Sequence, residues 1–130
     1  MSALPGVKAL VFDVFGTVVD WRIGVARELA AFLPAMDAGH LDPFALADAW
    51  RRRYQPAMEE CRSGRRPFTR LDVLHRENLE AMLRENGVDL SRATEGDLDH
   101  LNRAWHRLDP WPDAVLGLTR LKRRFFIAPL

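Results

Sequence analysis

Val7-Lys8-Ala9-Leu10-Val11-Phe12-Asp13-Val14-Phe15-Gly16-Thr17 decides how this chain is read. The run from residue 7 is apolar and rich in β-branched and aromatic side chains. That pattern predicts a strand buried on both faces, as in a parallel sheet covered by helices. It ends on a lone carboxylate, Asp13. Gly16 then permits a tight or left-handed turn, and Thr17 supplies a hydroxyl. Open parallel sheets bind ligands outside the carboxyl ends of their strands, so Asp13 stands where a nucleophilic carboxylate would be presented. An aspartate that caps a turn is the plainer alternative.

Working outward, Asp20 is a candidate helix cap, with Ile23, Ala26, Ala30 and Leu33 at helical spacing and Pro34 at the expected end. Asp42-Pro43 is a strong helix start. Leu46, Trp50, Tyr54, Ala57, Met58 and Cys61 follow along one side, and Pro56 predicts a break just beyond Arg51. Thr69-x-x-Asp72 and Thr94-x-x-Asp97 both read as caps opening amphipathic helices. Gly87 is the expected stop of the first of these. Pro110-Trp111-Pro112-Asp113 forms a rigid connector into a last helix ending in Lys122-Arg123-Arg124, and Phe125–Leu130 reads as a second core strand. The order is strand, large helical insertion, helix, strand. An insertion directly after the Asp13 loop is the expected position of a cap that excludes water from a reacting centre.

The 130 residues make one ordinary domain or part of a larger one. A net charge of +1 argues against a general polyanion binder. The single Cys61 permits no internal disulfide and no cysteine-only zinc site, and a reducing cytoplasm fits. No apolar run is long enough to cross a bilayer. Met1-Ser2-Ala3-Leu4-Pro5-Gly6 lacks a charged leader with a signal core, so export is not expected. His40, His75, His100 and His106 show no metal spacing and are expected at the surface or satisfied. Arg62, Arg65, Arg66 and Arg70 lie among Glu59, Glu60 and Asp72 with few aromatics and read as solvated surface, not a nucleic-acid strip. Cys61 is expected as a small buried hydrophobe, and Trp50, Trp105 and Trp111 as packing residues.

At these residues the chain resembles the haloacid dehalogenase superfamily, and more narrowly the type II L-2-haloacid dehalogenases. Asp13, Gly16 and Thr17 match the superfamily's first motif, an apolar strand ending in Asp-x-x-Gly-Thr. Its phosphatase branch usually carries a second aspartate two positions on, as general acid. Here that position is Phe15, and an aromatic there is characteristic of the dehalogenase branch. Ala49-Trp50-Arg51 is similar to the cap helix whose arginine contacts substrate. Tyr54–Met58, Leu71–Arg76, Trp105–Leu108 and Trp111–Asp113 also read like family segments. In the family, the strand resembling residues 125–130 leads into a loop bearing Ser or Thr and an asparagine, then a lysine and a late acidic loop. The resemblance therefore implies that this chain corresponds to roughly the front half of such an enzyme.

The implied fold is α/β, a Rossmann-like parallel core, incomplete here, with an inserted helical cap. Residues 1–20 would be the first strand and nucleophile loop, 21–110 the cap, and 111–130 the return helix and second strand. The implied reaction is hydrolytic dehalogenation of a short L-2-haloacid to the 2-hydroxy acid through an ester on Asp13. Phe15 would exclude water, Thr17 would orient Asp13 or close its turn, and Arg51 would hold the substrate carboxylate or the departing halide. No metal or other cofactor is implied. The implied partner is a small halogenated carboxylic acid, with neither nucleic acid nor membrane involved, and a homodimer is one expected assembly. The alternatives are a Mg²⁺-dependent phosphatase of the same superfamily, which Phe15 opposes, and a non-catalytic fragment whose exposed half-sheet associates.

Overall fold

The structure, a computed structural model, describes residues 5–130. The expectation about a leader therefore falls partly outside the described residues. The protein is a helix-rich α/β chain with one small parallel sheet. It divides into two compact units. One comprises the chain up to Trp21 together with Leu108–Leu130; the other is Arg22–Arg107.

In the strand-bearing unit, β1 (Ala9–Phe12) pairs in parallel with β2 (Phe126–Pro129), in the register Leu10 to Ile127 and Val11 to Ala128. The ladder is extended by Phe126 N–H donating to the Lys8 carbonyl at 2.9 Å and Leu130 N–H to the Phe12 carbonyl at 2.7 Å. Two parallel strands cannot be joined by a tight turn, and here the whole helical unit lies between them in sequence. Pro129 sits at the strand's end, where its missing N–H costs least. Helix α6 (Ala114–Lys122) precedes β2 and packs on it.

The expectation of a strand buried on both faces is corrected here. No described residue of this unit is buried: Val11 is 61% exposed, Phe126 80% and Leu130 88%. The apolar pattern is that of a doubly covered strand, yet two strands and one helix supply too little surface to cover either face.

The helical unit holds the core. It contains α1 (Trp21–Phe32, from Arg22 onward), α2 (Pro43–Arg52), α3 (Tyr54–Arg62), α4 (Leu71–Glu85) and α5 (Glu95–Asn102), with short 3₁₀ turns at Leu33–Met36, Leu90–Arg92 and Arg103–His106. α4 is the hub, packing against α2, α3 and α5. Its Leu74, Leu79, Met82 and Leu83 meet Leu46, Ala47 and Trp50 of α2 and Leu98 and Leu101 of α5 within one buried set. Each fully buried leucine contributes roughly 2 kcal/mol of transfer free energy.

Local signals explain most boundaries. The Asp42 carboxylate accepts from Phe44 N–H at 2.9 Å, with Pro43 at the first helical position. α2 ends at Arg52 and α3 begins at Tyr54, so the break that Pro56 predicts falls at Arg53, two residues beyond Arg51. Pro56 then occupies the first turn of α3, where no intrahelical donor is needed. Thr94 and Asp97 form a reciprocal capping box. Gly87, at φ 79°, closes α4 with Val88 N–H on the Leu83 carbonyl.

Two further expectations are corrected. Thr69 caps nothing; its hydroxyl donates to the Pro67 carbonyl and accepts from Arg66, and α4 starts at Leu71. Of the expected α1 stripe, Ala26 and Leu33 are buried, whereas Ile23 and Ala30 face outward and Val25 and Leu29 take the inner face instead. The end of α1 falls as expected: the helix stops at Phe32, two residues before Pro34, which lies in the 3₁₀ turn that follows.

Candidate active site

Asp13 follows the last residue of β1 and is exposed. Its Oδ2 accepts the Thr17 hydroxyl at 2.6 Å, a short charge-assisted bond that fixes one carboxylate oxygen. The intervening loop is tied by Gly16 N–H to the Val19 carbonyl at 2.9 Å, and by Val18 and Val19 N–H to the Val14 carbonyl at 2.9 and 3.2 Å. Gly16 has φ +93°, and a Cβ there would stand 3.6 Å from the Trp21 ring. The backbone angle, more than the space, is what demands glycine. Phe15 is half-buried and bridges to Val19.

A second strap holds this loop. Asp20 N–H donates to the Asp109 carbonyl and Trp111 N–H to the Val18 carbonyl, both at 2.9 Å, while Val19 bridges Pro110 in antiparallel fashion. The Trp111 indole N–H donates to the Gly16 carbonyl at 2.9 Å. Reading Trp111 as packing alone missed this bond. The available signal was the Pro-Trp-Pro sequence, which freezes the backbone on both sides of one donor-bearing ring.

Asp13, Phe15 and Thr17 are thus brought together in one loop. Arg51 belongs to the other unit. It lies near the end of α2, half-buried, with its guanidinium carbon 4.3 Å from the Tyr54 ring centroid and 5.9 Å from that of Trp105. Stacked on aromatic faces, it is a permanent and weakly hydrated cation. Arg52 is exposed, as expected, whereas Arg53 pairs with Glu85 and its carbonyl accepts from Asn78, tying the α2–α3 junction to α4.

His75 departs from its expected surface or satisfied role. It is 3% exposed, its ring lies 4.9 Å from Trp105 and 6.3 Å from Trp50, and neither ring nitrogen has a hydrogen-bond partner among the described residues. Burial drives its pKa down to about 4; Asp72 opposes this, while Arg51 and His106 add to it. The Asp72 carboxyl is held below its ordinary range, chiefly by the His106 ring at 2.7 Å. Cys61 is half-buried, its thiol 3.7 Å from the Pro67 carbonyl. Among the described residues no helix is long and apolar enough to cross a membrane.

The whole chain can be compared with solved structures. A defluorinating L-2-haloacid dehalogenase superposes with a TM-score of 0.90 at 51% identity, over 95% of this chain. The chain is a relative of the L-2-haloacid dehalogenases. A second L-2-haloacid dehalogenase gives a TM-score of 0.84 at 41% identity over 96% of this chain. The enzyme of Xanthobacter autotrophicus, solved with chloropropionic acid covalently bound, gives 0.75 at 26% over 95%. The chain spans about half the length of these dehalogenases: 50%, 52% and 46% respectively. No family model and no curated protein sequence matches it.

Proposed function

We propose that this chain carries the nucleophile of a hydrolytic 2-haloacid dehalogenase, with Asp13 as that nucleophile. The observation that carries the reading is the Asp13 loop: an exposed carboxylate at the end of a parallel strand, one oxygen held by Thr17, in a chain 51% identical to a defluorinating L-2-haloacid dehalogenase. A carboxylate oxygen attacks C2 of the acid, and the halide leaves with the electron pair of the carbon–halogen bond. Water then attacks the Asp13 carboxyl carbon, releasing the 2-hydroxy acid and a proton and restoring the carboxylate. The covalent adduct of chloropropionic acid in the Xanthobacter enzyme supports this course.

The roles follow from the chemistry of each group. Orientation of Asp13 by Thr17 fixes the direction of attack. Phe15 offers apolar surface and no proton, which suits displacement at carbon and not phosphoryl transfer. Arg51 is proposed to hold the substrate carboxylate or the halide, and residues 21–110 to form the cap of the enzyme. Since Asp13 is exposed in its own unit, the desolvation that makes a carboxylate a good nucleophile must come from elsewhere. Halide release from an L-2-haloacid, followed by an ion-selective electrode in protein bearing this sequence, tests the reading. Mg²⁺-dependent hydrolysis of a phosphate ester without halide release would transfer the chain to the phosphatase branch.

A second reading, association without catalysis, rests on a different observation: no described residue of the strand-bearing unit is buried. Unpaired strand edges and exposed apolar side chains favour pairing with another chain. It predicts that the 130-residue chain sediments as concentration-dependent assemblies and releases no halide. A monomer across the micromolar range would remove this reading.

A further inference from the structure

We propose that Trp111 is a positioning residue for the Asp13 carboxylate, acting through the Gly16–Thr17 peptide; the proposal rests on the reading of Asp13 as nucleophile. The Trp111 indole reaches the 14–19 loop from a distant part of the sequence, 95 residues on. It grips the Gly16 carbonyl at 2.9 Å. That carbonyl and the Thr17 N–H belong to one planar peptide, trans here as throughout the described chain, so they point in opposite directions and turn together. Gly16, the residue with the least intrinsic preference among backbone angles, would otherwise leave this plane loosely determined. Its own N–H is already held by Val19 at 2.9 Å. With both sides of Gly16 pinned, the Thr17 Cα has a fixed place, and from it the Thr17 hydroxyl reaches Asp13 Oδ2 at 2.6 Å.

The chain of contacts is therefore indole N–H, Gly16 carbonyl, Thr17 peptide plane, Thr17 hydroxyl, Asp13 oxygen. Trp111 itself is held for this purpose. Its backbone N–H donates to the Val18 carbonyl, and Pro110 and Pro112 flank it with fixed φ. Attack at carbon needs a near-collinear approach, and a small misplacement of the attacking oxygen is expensive.

The test removes the donor in two ways. Trp111→Phe removes the N–H with part of the ring, and benzothienylalanine at position 111 keeps the bicyclic shape but substitutes sulfur for N–H. 5-Fluorotryptophan retains the N–H and serves as the rescue. Carbon-13 spectra of the 130-residue chain, labelled at the Asp13 carboxyl and at Thr17, are expected to shift in the first two variants and to match wild type in the third. Where ester formation on Asp13 is measurable, its kcat is expected to fall about tenfold or more at unchanged KM. Unmoved Asp13 and Thr17 resonances in both donor-less variants would overturn the proposal. So would loss of the whole unit's dispersed resonances in both, which would make Trp111 a packing residue. Absence of any ester in wild type would sink the nucleophile reading instead, and the resonances would still decide what Trp111 positions.

Discussion

Asp13→Ala is expected to reduce halide release by about 10,000-fold or more, to the level of the uncatalysed background, because the group that forms the new bond is gone. Asp13→Asn should do nearly the same while preserving size and the Thr17 contact, since an amide oxygen is a far weaker nucleophile. The fold should not move: Asp13 is exposed, and its hydrogen bond to Thr17 is within its own loop. Unchanged thermal unfolding with halide release abolished is the expected pair of results. Substantial release by Asp13→Ala would place the nucleophile elsewhere.

Acidification from pH 6.5 to 4 is expected to remove about 3 kcal/mol of stability from the helical unit, through His75. In the folded chain its imidazole protonates only near pH 4, against 6.5 for an unperturbed histidine. Between those values the unfolded chain binds the proton and the folded chain does not, so stability is full above pH 6.5, falls as pH falls, and levels off below 4. The cause is structural. The ring is enclosed by Trp50, Tyr54 and Trp105, with Arg51 and His106 adding positive potential and only Asp72 opposing. The lowered carboxyls of Asp48, Glu60, Asp72, Glu77, Asp89 and Asp97 begin to lose their contributions only as the pH falls to their ordinary values of 4.5 for Glu and 3.8 for Asp, so the upper part of the window, from 6.5 to about 5, reports His75. Urea unfolding across this window checks it. His75→Leu should flatten the dependence, and a flat wild-type profile would show that the ring is hydrated or finds a partner.

The Asp13 loop was legible in sequence because each of its features has a local cause: an apolar run, a carboxylate where it stops, and a glycine where φ must be positive. Caps at Asp42 and Thr94 were legible for the same reason. Thr69 misled because a hydroxyl three residues before an acid satisfies the pattern even when Arg66 and the Pro67 carbonyl claim it first. The bond from Trp111 to Gly16 was hidden, since no local rule pairs positions 95 residues apart. His75 was hidden too. A histidine beside Leu74 carries no mark of whether the helix turns it into an aromatic core or into water. Conversely, the apolar pattern of Val7–Phe12 encodes a strand's need for cover without saying whether the cover is supplied, and here Val11 and Phe126 remain exposed.

The most direct measurement is a single turnover of a 2-haloacid in water enriched in oxygen-18, with protein in excess over substrate. On the proposed course, with water attacking the carboxyl carbon of the ester, the heavy oxygen should appear in the peptide containing Asp13, and the 2-hydroxy acid should carry the original carboxylate oxygen. Heavy oxygen found in the hydroxy acid, with the Asp13 peptide unlabelled, would mean that water displaces the halide directly and that Asp13 forms no bond to carbon.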